Sequence, residues 1–501
     1  MNARPAQLHP VMFAGTGSDV GKSLLAAAFC RILRQDGYTP APFKAQNMAL
    51  NSYVTAEGGE MGRAQVVQAE AAGVACHTDM NPLLLKPNSD KVCQMILNGR
   101  PVGNAAAAEL FTPGPAREAL RREVCAAYDR LAARYNPIVL EGAGSICELN
   151  LRRTDLVNLP MARHAGADIF LVADIDRGGV FGSVYGTLQL LDEEERSLVK
   201  GIFINKFRGD MRLFDDGRRM LEELCRIPVL GVIPYMRDIS IEAEDALPAE
   251  MLRRSSEAGK IDIAVVLLRH LSNFTDFDAL ERHPDIRLRY VATPDELETA
   301  DIVILPGSKC VAADLAELRR TGVAGQIVRL AGEGRRIVGI CGGYQMMGRL
   351  IRDPHRIESD VESVPGLGLL PVETLLTDEK QTRRIGFTLR GDDRTGTGYE
   401  IHMGRTRAAE GCRAEPLLRL EDGSDEGCIA GNCMGSYLHG IADNACFIDL
   451  LLRPFADRLH GKASVDLRSW KEQQYDLLAD HVRRNTDMEL FYAIAGAPRR
   501  T

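Results

Sequence analysis

The chain reads as an α/β protein of two domains, each built on a parallel sheet, with a helical C-terminal segment. Three observations predict this. Short, near-continuous β-branched runs alternate with longer amphipathic stretches over residues 1–240, the pattern of parallel strands covered on both faces by helices. The alternation stops over 241–260, which is polar and charged, and a second alternating series begins at Ile261. The length of 501 residues exceeds what one hydrophobic core usually serves, at roughly 150 residues per domain.

In order, the first series has strands at Val11–Ala14, Ile138–Leu140, Ile169–Ala173, Gly201–Asn205 and Val229–Ile233. Residues 241–260 are the expected linker. Strands at Ile261–Leu268, Ile302–Leu305 and Arg336–Ile340 open the second domain (261–455), and Gly366–Leu438 is richer in strands. Residues 456–501 are expected to be a helical segment, which carries the single tryptophan, Trp470.

Composition excludes several classes. The apolar fraction, 45%, is that of an ordinary globular protein, and apolar runs such as Ile263-Ala-Val-Val-Leu-Leu268 fall far short of the ~20 residues needed to span a bilayer. The N-terminus lacks a charged start followed by a long apolar stretch, so a cytosolic protein with reduced thiols is expected. A net charge of −8 argues against a nucleic-acid surface. No two of the 12 cysteines have C-x-x-C spacing, so they read as buried small residues or single reactive thiols, not as a zinc ribbon.

After the first strand comes Gly15-Thr-Gly-Ser-Asp-Val-Gly-Lys-Ser23, opening into a helix at Leu24–Leu33. Glycines let successive N–H groups face phosphate oxygens, Lys22 neutralises charge, and the Ser23 hydroxyl can ligate Mg²⁺. Gly15, Thr16, Asp19, Gly21, Lys22 and Ser23 are therefore candidate ATP-binding residues, with Thr16 where the usual spacing has glycine. Glu141 in Glu141-Gly-Ala-Gly-Ser145, and Asp174 and Asp176, lie at C-terminal strand ends, the ligand edge of a parallel sheet. They can hold Mg²⁺ or serve as ordinary caps; Glu141, between a strand and a Gly-rich turn, is the better candidate ligand. Asn205 and Lys206, ending the next strand, could read a nucleotide base.

In the second half, Gly339-Ile-Cys341-Gly-Gly343 is the cysteine version of a nucleophile elbow, a strand-to-helix turn that exposes its central side chain at the helix N-terminus. That position suits a reactive thiol, and backbone N–H groups such as that of Gly342 can receive an oxyanion. Leu305-Pro-Gly-Ser308 offers the Gly307 N–H as a second donor. Of the ten histidines, His439 in Ser436-Tyr-Leu-His-Gly440 is the preferred base for Cys341, with His402 as its rival.

Several long segments carry a closer likeness. Pro42-Phe-Lys-Ala-Gln-Asn-Met-Ala-Leu-Asn-Ser52, Glu60-Met-Gly-Arg-Ala-Gln65, Glu141-Gly-Ala-Gly-Ser145, Ala173-Asp-Ile-Asp-Arg-Gly-Gly179, Asn205-Lys-Phe-Arg-Gly-Asp210 and Gly398-Tyr-Glu-Ile-His402 resemble the cobyric acid synthase family, glutamine-dependent amidoligases of cobalamin biosynthesis. The resemblance covers nearly the whole chain. It implies a P-loop, dethiobiotin-synthetase-like ATP domain fused to a class I glutamine amidotransferase domain. It also implies amidation of the b, d, e and g carboxylates of adenosylcobyrinic acid a,c-diamide with glutamine, ATP and Mg²⁺. By motif match Cys341 is the glutaminase nucleophile, His439 its base, the loop residues the ATP site and Glu141 an Mg²⁺ ligand.

Two departures from the family's wider pattern stand out. Class I amidotransferases commonly carry a glutamate two residues after the histidine, where this chain has Ile441, so the sequence leaves open what orients His439. Ile146-Cys147 stands where Pro-Ala is expected. Two rivals remain at this level: the sister enzyme that amidates the a and c carboxylates of cobyrinic acid, and a non-enzymatic ATP-switch protein, against which the intact elbow and His439 argue. Corrinoid contacts and oligomeric state are not legible, although Arg63, Arg177 and Arg208 could pair with corrinoid carboxylates or simply face solvent.

Overall fold

A computed structural model describes residues 7–87, 92–106, 111–236, 239–241, 255, 257, 259–359, 361–460 and 467–496. Most of the expected linker, including 242–254, lies outside the described residues. The chain divides into two units, the first comprising Met1–Ala49, Glu60–Glu242 and Arg468–Thr501, the second Leu50–Gly59 and Ala243–Leu467. Two segments therefore join units that linear boundaries do not anticipate: Leu50–Gly59 packs with the second unit, and the C-terminal helices pack with the first.

The first unit is built on a six-stranded parallel sheet. Its order is Val229–Pro234, Val199–Phe207, Asp168–Asp174, Val11–Gly15, Ile138–Glu141, Ala41–Phe43. Val11–Gly15, Asp168–Asp174 and Ile138–Glu141 are buried at every position, which is why they carry unbroken apolar runs instead of alternation. Phe13, Phe170 and Phe203 from three strands meet Phe29 of the helix Lys22–Gln35 in one aromatic cluster. The helix Met488–Ala495 adds Phe491, its ring centroid 4.7 Å from that of Phe29 and 5.2 Å from that of Phe170. The preceding helix, Leu467–Arg484, is fastened to the same unit by Glu472 and Asp476, which pair with Arg31, and by Tyr475, which donates to Glu70.

The second unit has a sheet ordered Ile286–Val291, Ile261–Val266, Ile302–Leu305, Arg336–Ile340, Cys433–Ser436, Cys428–Ala430, parallel except for the last strand. The strand-rich stretch forms a separate, mainly antiparallel sheet around the long hairpin of Val372–Leu389 and Thr395–Ala408. In both parallel sheets the chain leaves each strand at its C-terminal end, so the loops that follow share one edge, where ligands of open α/β sheets bind. Among the described residues no helix is long and apolar enough to cross a membrane.

Candidate functional site

In the first unit, the phosphate loop is shaped by positions that tolerate little change. Gly21 caps the helix at φ 99°, and a Cβ there would lie 2.0 Å from the Asn205 side chain. A Cβ on Gly15 would lie 2.7 Å from the Gly17 carbonyl and 2.9 Å from Lys22 Nζ, so only glycine leaves the lysine its place. Asp19 is also left-handed, at φ 58°. Thr16, in the usual glycine position, is pinned by its N–H to the Val172 carbonyl and by a bridge to Ser145. Lys22 is buried and donates to the Gly17 and Gly144 carbonyls at 2.9 and 3.0 Å. Both bonds hold its ammonium folded into the cradle.

Glu141 is 1% exposed and gathers four side chains. One oxygen accepts from Ser23 Oγ and Lys44 Nζ, both at 2.8 Å; the other accepts from Gln68 Nε2 at 2.6 Å and Gln65 Nε2 at 3.5 Å. Burial works against its charge, but the Lys44 ammonium and these donors hold the carboxyl below the ordinary carboxylate range. An ionised carboxylate touching a serine hydroxyl at a helix N-terminus is a hard oxygen donor set of the kind Mg²⁺ takes with water and phosphate. Among the described residues no group of three or more His, Cys, Asp and Glu side chains could hold a metal without such help. Asn205 donates to the Val20 carbonyl and keeps Oδ1 buried without a partner, which leaves an acceptor at the loop. Lys206 bonds the Asp19 carbonyl and Asp174. Asp174 accepts from the Asp176 N–H, an ordinary turn cap, and Asp176 pairs with Arg208. Arg63 is buried, whereas Arg177 and Arg208 are exposed and face Asp174 and Asp176 respectively.

In the second unit, Cys341 sits at φ 50°, ψ −108°, a strained backbone for any residue with a side chain. The flanking glycines explain how the turn closes: a Cβ on Gly343 would lie 1.9 Å from the Leu305 carbonyl oxygen, and one on Gly339 2.7 Å from the Tyr344 nitrogen. Gly342 packs on Ser308, and Gly307 packs on the His439 ring, so the two expected oxyanion donors flank the cysteine and the histidine. Cys341 acts electrostatically on the His439 ring, and its Sγ lies 3.7 Å from the Ile401 carbonyl oxygen.

His439 is 1% exposed, and its Nδ1 lies 2.7 Å from Asp276 Oδ2. The other Asp276 oxygen accepts the Gly440 N–H at 2.9 Å. Burial disfavours the imidazolium, but the Asp276 carboxylate and Cys341 outweigh it, and His439 is pushed up to about 10. His402, the rival base, faces elsewhere: its Nδ1 meets the Gly404 carbonyl at 2.8 Å, its Nε2 is 3.7 Å from Glu400, and its ring stacks on Tyr437 at 3.7 Å.

Asp276 is the residue that sequence reasoning missed. It lies in the short 3₁₀ turn Phe274–Phe277, 163 positions before His439, with no spacing signature linking the two. The available signal was its place, on the loop that follows the Ile261–Val266 strand at the ligand edge of the sheet.

Comparisons with known proteins match each half of the chain to a domain family. Residues 11–249 match the CobQ/CobB/MinD/ParA nucleotide binding domain, and residues 262–447 match the CobB/CobQ-like glutamine amidotransferase domain. The cobyric acid synthases of Bacteroides fragilis and Phocaeicola vulgatus are each 60% identical to this chain, and that of Parabacteroides distasonis is 55% identical. Each alignment covers 97% of this chain and 98% of the relative. Similarity at that level over nearly the full length, with both domains in the expected order, shows that the chain belongs to the cobyric acid synthase family.

Proposed function

We propose that this protein amidates the b, d, e and g carboxylates of adenosylcobyrinic acid a,c-diamide to adenosylcobyric acid, using ATP and ammonia released from glutamine. The observation that carries this reading is the presence, in one chain of this family, of a cysteine–imidazole–carboxylate array and a separate lysine–carboxylate phosphate cradle.

In the glutaminase half, His439 takes the Cys341 proton and the thiolate attacks the glutamine side-chain carbonyl. Gly307 and Gly342 N–H groups receive the oxyanion. The imidazolium returns its proton to the departing ammonia, and water then hydrolyses the thioester to glutamate, with His439 as base. Asp276 holds Nδ1 so that Nε2 faces the thiol, and it stabilises the imidazolium while the charge lasts.

In the ligase half, the loop N–H groups and Lys22 hold the nucleotide phosphates, and Ser23 with Glu141 would hold Mg²⁺. The ion supplies charge neutralisation for the transferring phosphoryl group. Lys44, bonded to Glu141, is a second cation in the same cluster. The substrate carboxylate attacks the γ-phosphorus and ADP leaves. The acyl phosphate so formed is the electrophile that ammonia attacks, releasing phosphate. A cytosolic setting, with reducing conditions, keeps the Cys341 thiol available.

The deciding experiment is mass spectrometry of the corrinoid after incubation with glutamine and ATP. Four added amides on the a,c-diamide are expected. Two amides added to cobyrinic acid, with the a,c-diamide left unchanged, would assign the sister reaction instead.

A further inference from the structure

The ten residues Leu50–Gly59 leave the nucleotide-binding unit after Ala49, pack with the glutaminase unit, and return at Glu60. Three consecutive residues of this excursion each touch a neighbour of one member of the catalytic array. The Ser52 N–H donates to Asn273 Oδ1 at 3.1 Å. Asn273, left-handed at φ 53°, caps the turn that carries Asp276, and its carbonyl accepts the Asp276 N–H at 3.0 Å. The Tyr53 ring meets Tyr399 edge-on, centroids 5.2 Å apart. Tyr399 in turn stacks on His439 at 5.3 Å and exchanges two backbone hydrogen bonds with it, at 3.1 and 2.9 Å. Val54, fully buried, packs in one cluster with Tyr399 and Ile401, whose carbonyl faces Cys341 Sγ.

The excursion is also closed on itself. Thr55 donates its N–H to the Gly59 carbonyl at 2.8 Å, and Gly58 donates back to Thr55 through a left-handed turn at φ 78°. Thr55–Gly59 is thus a closed turn, not a slack tether. Its upstream anchor is chemically informative, since Lys44, eight positions before Ser52, is bonded to Glu141 beside Ser23.

We propose that Leu50–Gly59, acting through Tyr53, is a positioning element that makes glutamine hydrolysis depend on occupancy of the nucleotide-binding unit. The chemistry gives a reason for such a device. Ammonia released before an acyl phosphate exists is protonated at neutral pH and wasted as a nucleophile. Occupancy can act only by favouring one arrangement of the loop over another. The loop touches the supports of Asp276, His439 and Cys341 and none of their reacting atoms, so a shift in it changes alignment and leaves the chemistry itself in place.

The inference rests on the proposed glutaminase and ligase activities, and the test separates the two. Glutamate release by the full-length enzyme is measured with and without ATP plus the corrinoid a,c-diamide, alongside amidation driven by ammonium chloride. In the wild type the substrates should stimulate glutamate release by about 5-fold or more, the lower end of usual coupling between sites. In Tyr53→Ala the stimulation should fall to about 1-fold while ammonia-driven amidation persists, and Tyr53→Phe, which keeps the ring, should restore it. Asn273→Gly keeps the left-handed backbone and removes the acceptor for Ser52; it should reduce the stimulation too, and it serves if Tyr53→Ala does not fold. An unstimulated wild type, or variants that retain the wild-type ratio, would overturn the proposal. Glutamate release surviving in Cys341→Ala, or no amidated corrinoid from the wild type, would instead overturn the activities on which it rests.

Discussion

The two sites of this chain are assembled in opposite ways. The phosphate loop is contiguous, Gly15 to Ser23, and recruits Glu141 from 118 positions beyond Ser23. The proposed glutaminase site draws one group from the chain that follows each of four strands: Asp276, Gly307, Cys341 and His439. The difference follows from the chemistry each performs. A backbone cradle needs consecutive N–H groups pointing inward, so its code must be local. Proton transfer needs side-chain heads within hydrogen-bond reach, which adjacent parallel strands supply whatever the distance along the chain.

Breaking each site alone is the sharpest test of that contrast. Cys341→Ala should abolish glutamine-driven amidation, a loss of about 10⁴-fold or more, with ammonia-driven amidation retained. Loss of both in this variant would show that the halves are not chemically separate. Asp276→Asn should lower the glutaminase kcat by about 10³- to 10⁴-fold with little change in KM, as when the orienting carboxylate of other triads is neutralised. The pH profile checks that the carboxylate acts through the imidazole. His439 is raised from its ordinary 6.5 to about 10, so the stability its pair contributes is full below about pH 6.5 and fades as pH rises through 10. In Asp276→Asn the limb of the glutamine-hydrolysis profile that reports His439 should therefore move to lower pH, and Asp276→Glu should recover part of the rate. An unmoved limb would make Asp276 a purely structural residue.

Lys22→Ala tests the other site. It should remove both glutamine- and ammonia-driven amidation, by about 10²- to 10³-fold for one lost charge-stabilising donor, while basal glutamate release survives. The smallest effect on chemistry and a large one on folding is expected of Phe491→Ala. Truncating this fully buried ring should destabilise the nucleotide-binding unit by about 3–5 kcal/mol, read as a lower urea midpoint. A cost below about 1 kcal/mol would mean that the C-terminal helices are not part of that core.

Much of this architecture is legible in the amino-acid sequence. The strands at 302–305 and 336–340 fall where their apolar runs predict, because a strand buried on both faces must be apolar at every position. The elbow at Cys341 was legible for a steric reason: neighbouring atoms that would lie under 3 Å from a Cβ demand glycine at the flanks, and glycines are visible in a sequence. His439 could be ranked above His402, since it follows the strand Cys433–Ser436 and precedes Gly440, whereas His402 lies inside the strand Thr395–Ala408.

What the amino-acid sequence by itself determined is every feature whose cause is local: strand periodicity, the phosphate loop, the strained nucleophile turn. Tertiary structure alone decided that Asp276 meets His439 Nδ1, a partner that Ile441 cannot supply. It also decided that Phe491 completes the core begun by Phe13 and Phe29, and that Leu50–Gly59 belongs with the glutaminase unit. An apolar or charged side chain announces that it needs a partner, but a contact across 163 residues imposes no spacing on the chain between, so only folding names which partner it gets.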